Sequence, residues 1–464
     1  MNTIIFVPGG GGSRLSLNGQ EIWPPSFLEF VTQYSRIAEL QDPGVDATGI
    51  FDVYPPGSLV YCYDVYRTLL DDLNTIANYI ASNRLDFYYD WRIDIADSAD
   101  QLAKAIANCI NGGSTSITLV CHSMGNLLAR WLLESGIYSS ESWFDSVTHY
   151  VGLCGPHLGT PENLEYVLGD KGFLCISPED TKTVSANPHY PGAGYQCLPF
   201  QNYPAPVLDD INLGVQNLYD KTVAANYGLT WSSIQAARNL QNKLGFGRKP
   251  PLAKYSLVAA SGLTTDETVV YDSLNYTGTY SDQLGDGTIP LLSADVLQLN
   301  TQVTPGDHIG VLKTYPFRQI LYQILTGFSA ARLLPPLTLE NRPGVAVCVN
   351  KFVFSPHEPI ELLIVSDLVT DNIVGTFQIL GTRGADAAPF VYREQVFEYK
   401  GPPIQLIRAT VAAPSDSGGY QIVITGSHGT SPRTAASFAV SKWHQRRTRA
   451  ERRRRRRTRT EKRR

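Results

Sequence analysis

Ser123 lies in SITLVCHSMGNLLARWLL (116–133), an apolar run that reads as a strand, then a sharp turn, then an amphipathic segment that reads as a helix. A serine on such a turn has its hydroxyl exposed at the end of a sheet, in a strained backbone that tolerates only small neighbours. Gly125 meets that demand, and Cys121 stands where a glycine is usual. A serine hydroxyl becomes a nucleophile when a neutral imidazole takes its proton and a carboxylate orients that imidazole.

With the serine on a strand-to-helix turn, acid and histidine follow later in the chain, in that order. Of eight histidines, His357, His428 and His444 fall in a later β-rich region or the tail. His122 belongs to the serine's own strand, His149 to another, and His157 and His189 precede the end of an irregular insertion. His308, in the loop TPGDHIGVL before a C-terminal helix, is the candidate base. Asp286, between two glycines in LGDGTIPLLSA (284–294), is the candidate acid, with Asp282 and Asp307 as alternatives. A tetrahedral intermediate also needs backbone N–H donors for its oxyanion. Met124 follows the nucleophile and supplies one; Gly10, in VPGGGGSRL (7–15) after the first strand, supplies the other. That glycine loop could also cradle phosphate, but the lysine of a P-loop is missing, since Ser13-Arg14 follows.

The elements around these residues fit the requirement. Strand-like runs TIIFVP (3–8), SLVYCYD (58–64), SITLVCH (116–122), VTHYVGLC (147–154) and KYSLVAA (254–260) alternate with helical periodicity over 67–82, 97–111, 125–135 and 315–327. This alternation predicts a mostly parallel sheet flanked by helices. Residues 161–253 break the rhythm and read as a cap or lid; within them 187–208 has five prolines, four aromatics and no charged residue. A lid over an apolar pocket and a rigid insertion packed on the core are both open readings. The division expected is a catalytic α/β domain over 1–327, a linker over 328–344, an all-β sandwich over 345–441 and a disordered tail over 442–464. In the sandwich, Asp416-Ser-Gly-Gly-Tyr420 resembles the tyrosine corner of immunoglobulin-like domains. Ile422 occupies the place of their second cysteine, so no inter-sheet disulfide is expected.

Composition narrows the function classes. The chain has 464 residues, 43% hydrophobic, enough for a sizeable core. No apolar stretch is long enough to span a membrane, and the N-terminus does not read as a signal peptide. A cytoplasmic or peripheral membrane location is expected. Seven unpaired, widely spaced cysteines read as free thiols, and no metal-ligand spacing or cofactor motif stands out. The net charge of −4 hides a tail, 446–464, carrying +11, against −15 for the rest. Such a tail can contact an anionic membrane or another polyanion; no specific nucleic-acid site is read.

Val7-Pro8-Gly9-Gly10, Tyr89-Asp90-Trp91-Arg92, His122-Ser123-Met124-Gly125-Asn126, Gly285-Asp286-Gly287-Thr288-Ile289-Pro290 and the late His308 together resemble the lecithin:cholesterol acyltransferase and lysosomal phospholipase A2 family in order and spacing along 1–327. The resemblance implies an α/β-hydrolase core with cap and mobile lid, and acyl transfer or hydrolysis on phospholipids. It implies a Ser123-Asp286-His308 triad, an oxyanion hole at Gly10 and Met124, and no cofactor; Tyr89, Asp90, Trp91 and Arg92 read either as buried structural contacts or as support of the site, the former being favoured. The β-sandwich and arginine-rich tail lie outside the family plan, and its signal peptide and lid disulfide have no match here. A phospholipase, lipase or O-acyltransferase is therefore expected. An esterase or deacylase for a non-lipid or GPI-like ester, or a non-catalytic scaffold using the β-sandwich and tail, are the alternatives.

Overall fold

A computed structural model of the chain describes all residues except 27, 30–31, 55–62, 246–252, 296–299, 329–344, 383–387, 427–433 and 442–464. The linker, the basic tail and most of the run 58–64 thus lie outside the described residues.

Six strands form one parallel sheet, in the order Gln302–Pro305, Lys254–Ser261, Val147–Leu153, Ser116–His122, Asn2–Val7, Asn83–Asp86. The central strands are continuous apolar runs because helices cover both faces; Ile4, Ile5, Leu119 and Val120 are fully buried. The flanking helices are Arg67–Tyr79, Ile95–Asn111, Gly125–Glu134 and Tyr315–Thr326. Asp94 starts the second by accepting from the Ala96 N–H, a side-chain N-cap. The two edge strands were not expected. Asn83–Asp86 (NRLD) and Gln302–Pro305 (QVTP) are short and polar, so neither carries the apolar run of a central strand.

The insertion expected to be a cap contains the helices Pro161–Leu168, Pro178–Ser185, Lys221–Asn226 and Trp231–Lys243. It extends past the expected limit at 253, because the hairpin Leu263–Asp272/Asn275–Gly285 joins Leu208–Asp210 and Gly214–Val215 in a second sheet. Val269 and Tyr271 of that hairpin are buried with Leu164, Leu208, Ala224 and Ile234 in the cap's own core.

The C-terminal region is a six-stranded all-β unit built on one long hairpin, Pro359–Thr382/Phe390–Ala412. Its register shifts between Val365 and Asn372. Before the shift the first strand pairs with Val345–Val349, and after it with Gly418–Gly426. The halves enclose one core in which Ile360, Leu362 and Ile364 meet Phe377, Ile379, Ile422 and Phe438. Tyr420 donates its hydroxyl to the Asp416 carbonyl at 2.9 Å. This unit packs on the α/β domain: Val353 and Ala439 belong to the main core, and Leu263 is buried with Cys348, Leu363 and Val365.

Candidate active site

The strand Ser116–His122 ends at Ser123, whose φ of 53° lies in the left-handed region that a serine adopts only under strain. The helix Gly125–Glu134 begins two residues later, so the chain reverses within one turn. Glycine is obligatory at 125: a Cβ there would stand 2.6 Å from the Pro8 carbonyl oxygen and 2.7 Å from that of Val7. Gly9 is equally confined, since its Cβ would meet Ser123 Cβ at 2.7 Å. Asn126 braces the turn, its amide donating to the carbonyls of Ser123 (2.8 Å) and Leu153 (3.1 Å) while Tyr150 donates to its Oδ1. Cys121 is fully buried, and burial holds its thiol well above the ordinary range. It acts as a small apolar residue.

The structure brings Ser123, His308 and Asp286 into one hydrogen-bonded line. His308 Nε2 is 2.9 Å from Ser123 Oγ, and its Nδ1 is 2.7 Å from Asp286 Oδ2. Asp286 is 2% exposed, and its other oxygen accepts from the backbone N–H groups of Thr288 (2.9 Å) and Ile289 (2.7 Å). An ionised carboxylate held this way favours the Nδ1–H tautomer and leaves Nε2 facing the serine hydroxyl. Burial disfavours the charged imidazolium, but the charge and hydrogen bond of Asp286 outweigh it and raise the His308 pKa. The alternatives for the acid point elsewhere. Asp307 accepts from the N–H groups of Ile309, Gly310 and Val349, and Asp282 from that of Leu284.

Gly10 and Met124 line the same cavity as Ser123 and face each other: a Cβ on Gly10 would be 3.6 Å from Met124 Sδ. Met124 caps the helix that follows, where N–H groups have no intrahelical partner. The Tyr89–Arg92 segment holds the glycine loop from behind. Tyr89 donates to the Pro8 carbonyl (3.0 Å), Trp91 Nε1 to that of Ser13 (3.3 Å), and Arg92 pairs with Asp90 at 2.7 Å. Trp91 and Arg92 also reach the cavity wall.

Two neighbours escaped sequence reasoning. Tyr66 takes the Gly9 N–H on its hydroxyl (3.0 Å) and contacts His122 Nδ1 (2.8 Å), while His122 Nε2 lies 3.0 Å from the His308 carbonyl. Burial, then repulsion from His308, holds the His122 pKa well below its usual value. The imidazole is therefore neutral and links the glycine loop to the His308 backbone. No spacing marked Tyr66, one of 25 tyrosines. The second neighbour is the segment 349–353 of the β-rich unit, which forms part of the cavity wall although sequence placed it in a separate domain. The cavity has a volume of about 290 Å³, and Tyr54, Tyr63, Trp91, Tyr166 and Phe173 line it together with Ser123. Among the described residues no cluster of metal-ligating side chains is found.

Several known proteins resemble the chain. The product of gene lin2722 from Listeria innocua is 12% identical, covering 71% of this chain and 95% of that one, with a TM-score of 0.31. The mature Bacillus licheniformis lipase BlEst2 is 13% identical, covering 70% of this chain and 91% of that one, also at 0.31. A superoxide reductase (neelaredoxin) from Ignicoccus hospitalis covers 21% of this chain and 80% of its own at 9% identity and a TM-score of 0.17. Overlaps this loose do not bear on activity. No curated protein matches. The sequence model of the lecithin:cholesterol acyltransferase family matches residues 43–187, a span that holds Tyr89–Arg92 and the whole serine turn. With that match, residues 43–187 are similar to the lecithin:cholesterol acyltransferase family, and they include the strand of the parallel sheet that ends at Ser123.

Proposed function

We propose that the protein is a serine-dependent lipid esterase or O-acyltransferase. The observation that carries this reading is the Ser123–His308–Asp286 line opening into an aromatic-walled cavity. In the proposed cycle Ser123 Oγ attacks the ester carbonyl while His308 Nε2 takes its proton. Backbone N–H groups of Met124 and Gly10 receive the developing oxyanion. The ester C–O bond then breaks, the alcohol leaves with the proton from His308, and an acyl-Ser123 remains. Water or a second alcohol, deprotonated by the same imidazole, attacks that acyl group and frees the serine. Tyr89 and Trp91 serve by holding the glycine loop in place, and Asp90 by orienting Arg92, whose guanidinium also donates to the Leu40 carbonyl.

The β-rich unit is read as immunoglobulin-like, supported by the Tyr420–Asp416 hydrogen bond and by the parallel pairing of Val353–Phe354 with the last strand. The basic tail is read as a contact for anionic surfaces, consistent with a peripheral membrane location; no described helix is long and apolar enough to cross a membrane.

The test compares wild type with Ser123→Ala, first with a fluorophosphonate probe and then with lipid extracts assayed for released acyl chains. Wild type should label and the variant should not. Equal labelling would refute the nucleophile; labelling without lipid turnover would refute the lipid and favour another ester. Removal of 446–464 should abolish binding to anionic vesicles and spare turnover of a soluble ester.

A further inference from the structure

The loop that bears His308 is held from outside the hydrolase domain. Asp307, its neighbour, is 7% exposed and accepts two N–H groups of its own loop on Oδ1, from Ile309 (3.0 Å) and Gly310 (2.5 Å). Its Oδ2 accepts the N–H of Val349, from the β-rich unit, at 3.2 Å. Val349 ends a strand at the edge of its sheet, so this N–H is turned outward, free of the ladder. One residue on, the Asn350 carbonyl oxygen presses on the acid's loop, where a Cβ at Gly287 would meet it at 2.9 Å. Phe352 then stacks edge-on against Tyr63, with ring centroids 4.6 Å apart, and both residues line the cavity around Ser123.

We propose that the C-terminal β-rich unit is a working part of the hydrolase site: the Val349 N–H on Asp307 positions the His308 loop, and Phe352 forms a wall that selects among acyl chains. This rests on the reading of Ser123, His308 and Asp286 given above. Val349 is a positioning residue, since it reaches the reaction only through Asp307. A loop clamped on both sides keeps Nε2 aligned with the serine, and misplacement by about 1 Å can cost on the order of a hundredfold in rate.

The experiment uses the full chain with soluble p-nitrophenyl esters of butyrate and dodecanoate. Val349→Pro removes the donor and no ladder hydrogen bond; Asp307→Asn keeps an oxygen for its own loop but can turn an amide toward Val349. Circular dichroism checks that each variant is folded. Both should lower kcat at least about tenfold with little change in KM, and should displace the acidic limb of the kcat/KM pH profile. Phe352→Ala should change the dodecanoate-to-butyrate ratio of kcat/KM at least about fivefold, and Phe352→Tyr should restore it. Folded variants with wild-type kcat, pH profile and chain-length ratio would overturn the inference while leaving the hydrolase reading intact. A wild-type protein that neither hydrolyses the esters nor labels with fluorophosphonate would overturn both.

Discussion

Proton placement along Ser123, His308 and Asp286 sets what these residues can do at a given pH. Because Asp286 raises the His308 pKa against the opposing effect of burial, the imidazole is protonated, and unable to act as a base, up to a pH above the ordinary histidine value of about 6.5. The kcat/KM profile should therefore rise through an apparent pKa above that value and level off on the alkaline side. A profile already flat at pH 6 would contradict the assignment. Asp286→Asn removes the charge that raises the pKa and loses the tautomer control, so turnover should fall by roughly three to four orders of magnitude. Full activity in that variant would return the acid to Asp282 or Asp307. Gly125→Ala should remove activity and lower stability, because its Cβ has two carbonyl oxygens within 2.7 Å; a folded, active Gly125→Ala protein would show that the turn is looser than described. At this scale much of the site was legible. Ser123 stood out because strand, turn and helix must follow one another, and His308 because the other histidines fall in strands, before the end of the irregular insertion, or in the β-rich region and tail. Tyr66 was not legible, since its role depends on a contact 56 residues away with His122 that no local pattern encodes.

Among the elements, helices were readable from their apolar period and central strands from their continuous apolar runs, whereas the second sheet of the insertion was not. Its strands, LTTDETVVYD and NYTGTYSDQLG, are rich in polar residues without a regular period, and they are covered only once Leu208–Asp210 pairs beside them. The cap also carries an unusual group. Burial raises the Glu165 pKa to about 8, against a lowering by Lys171, while Tyr276 donates to its Oε1 at 2.8 Å. Its folded value exceeds the unfolded value of about 4.5, so between those two pH values the unfolded chain has released a proton that the folded one keeps. Stability from this group is complete at acidic pH and is lost as pH rises toward 8. Glu165→Gln, which keeps an acceptor for Tyr276, should therefore flatten the fall in Tm between about pH 5 and pH 8. An unchanged slope would mean that the carboxyl is already ionised in the folded cap.

For the whole molecule, the sequence marked a change of pattern near 345 and suggested two bodies joined by a linker. That reading follows from composition, which records where strand spacing changes but not which faces meet. The structure instead shows a shared seam. Leu263, at the start of the cap hairpin, is fully buried with Cys348, Leu363 and Val365, and Val353 and Ala439 enter the main core. A seam of this kind, together with the Val349–Asp307 hydrogen bond, couples unfolding of the β-rich unit to distortion of the His308 loop. Leu363→Ala leaves a cavity at the seam and should cost about 2–5 kcal/mol. If the two units share one cooperative transition, calorimetry of wild type gives a single peak, and loss of ester hydrolysis on heating coincides with it. In Leu363→Ala both should move down together. A wild-type protein that keeps its activity after the β-rich unit has melted would show that the seam is packing alone, without a hold on the site.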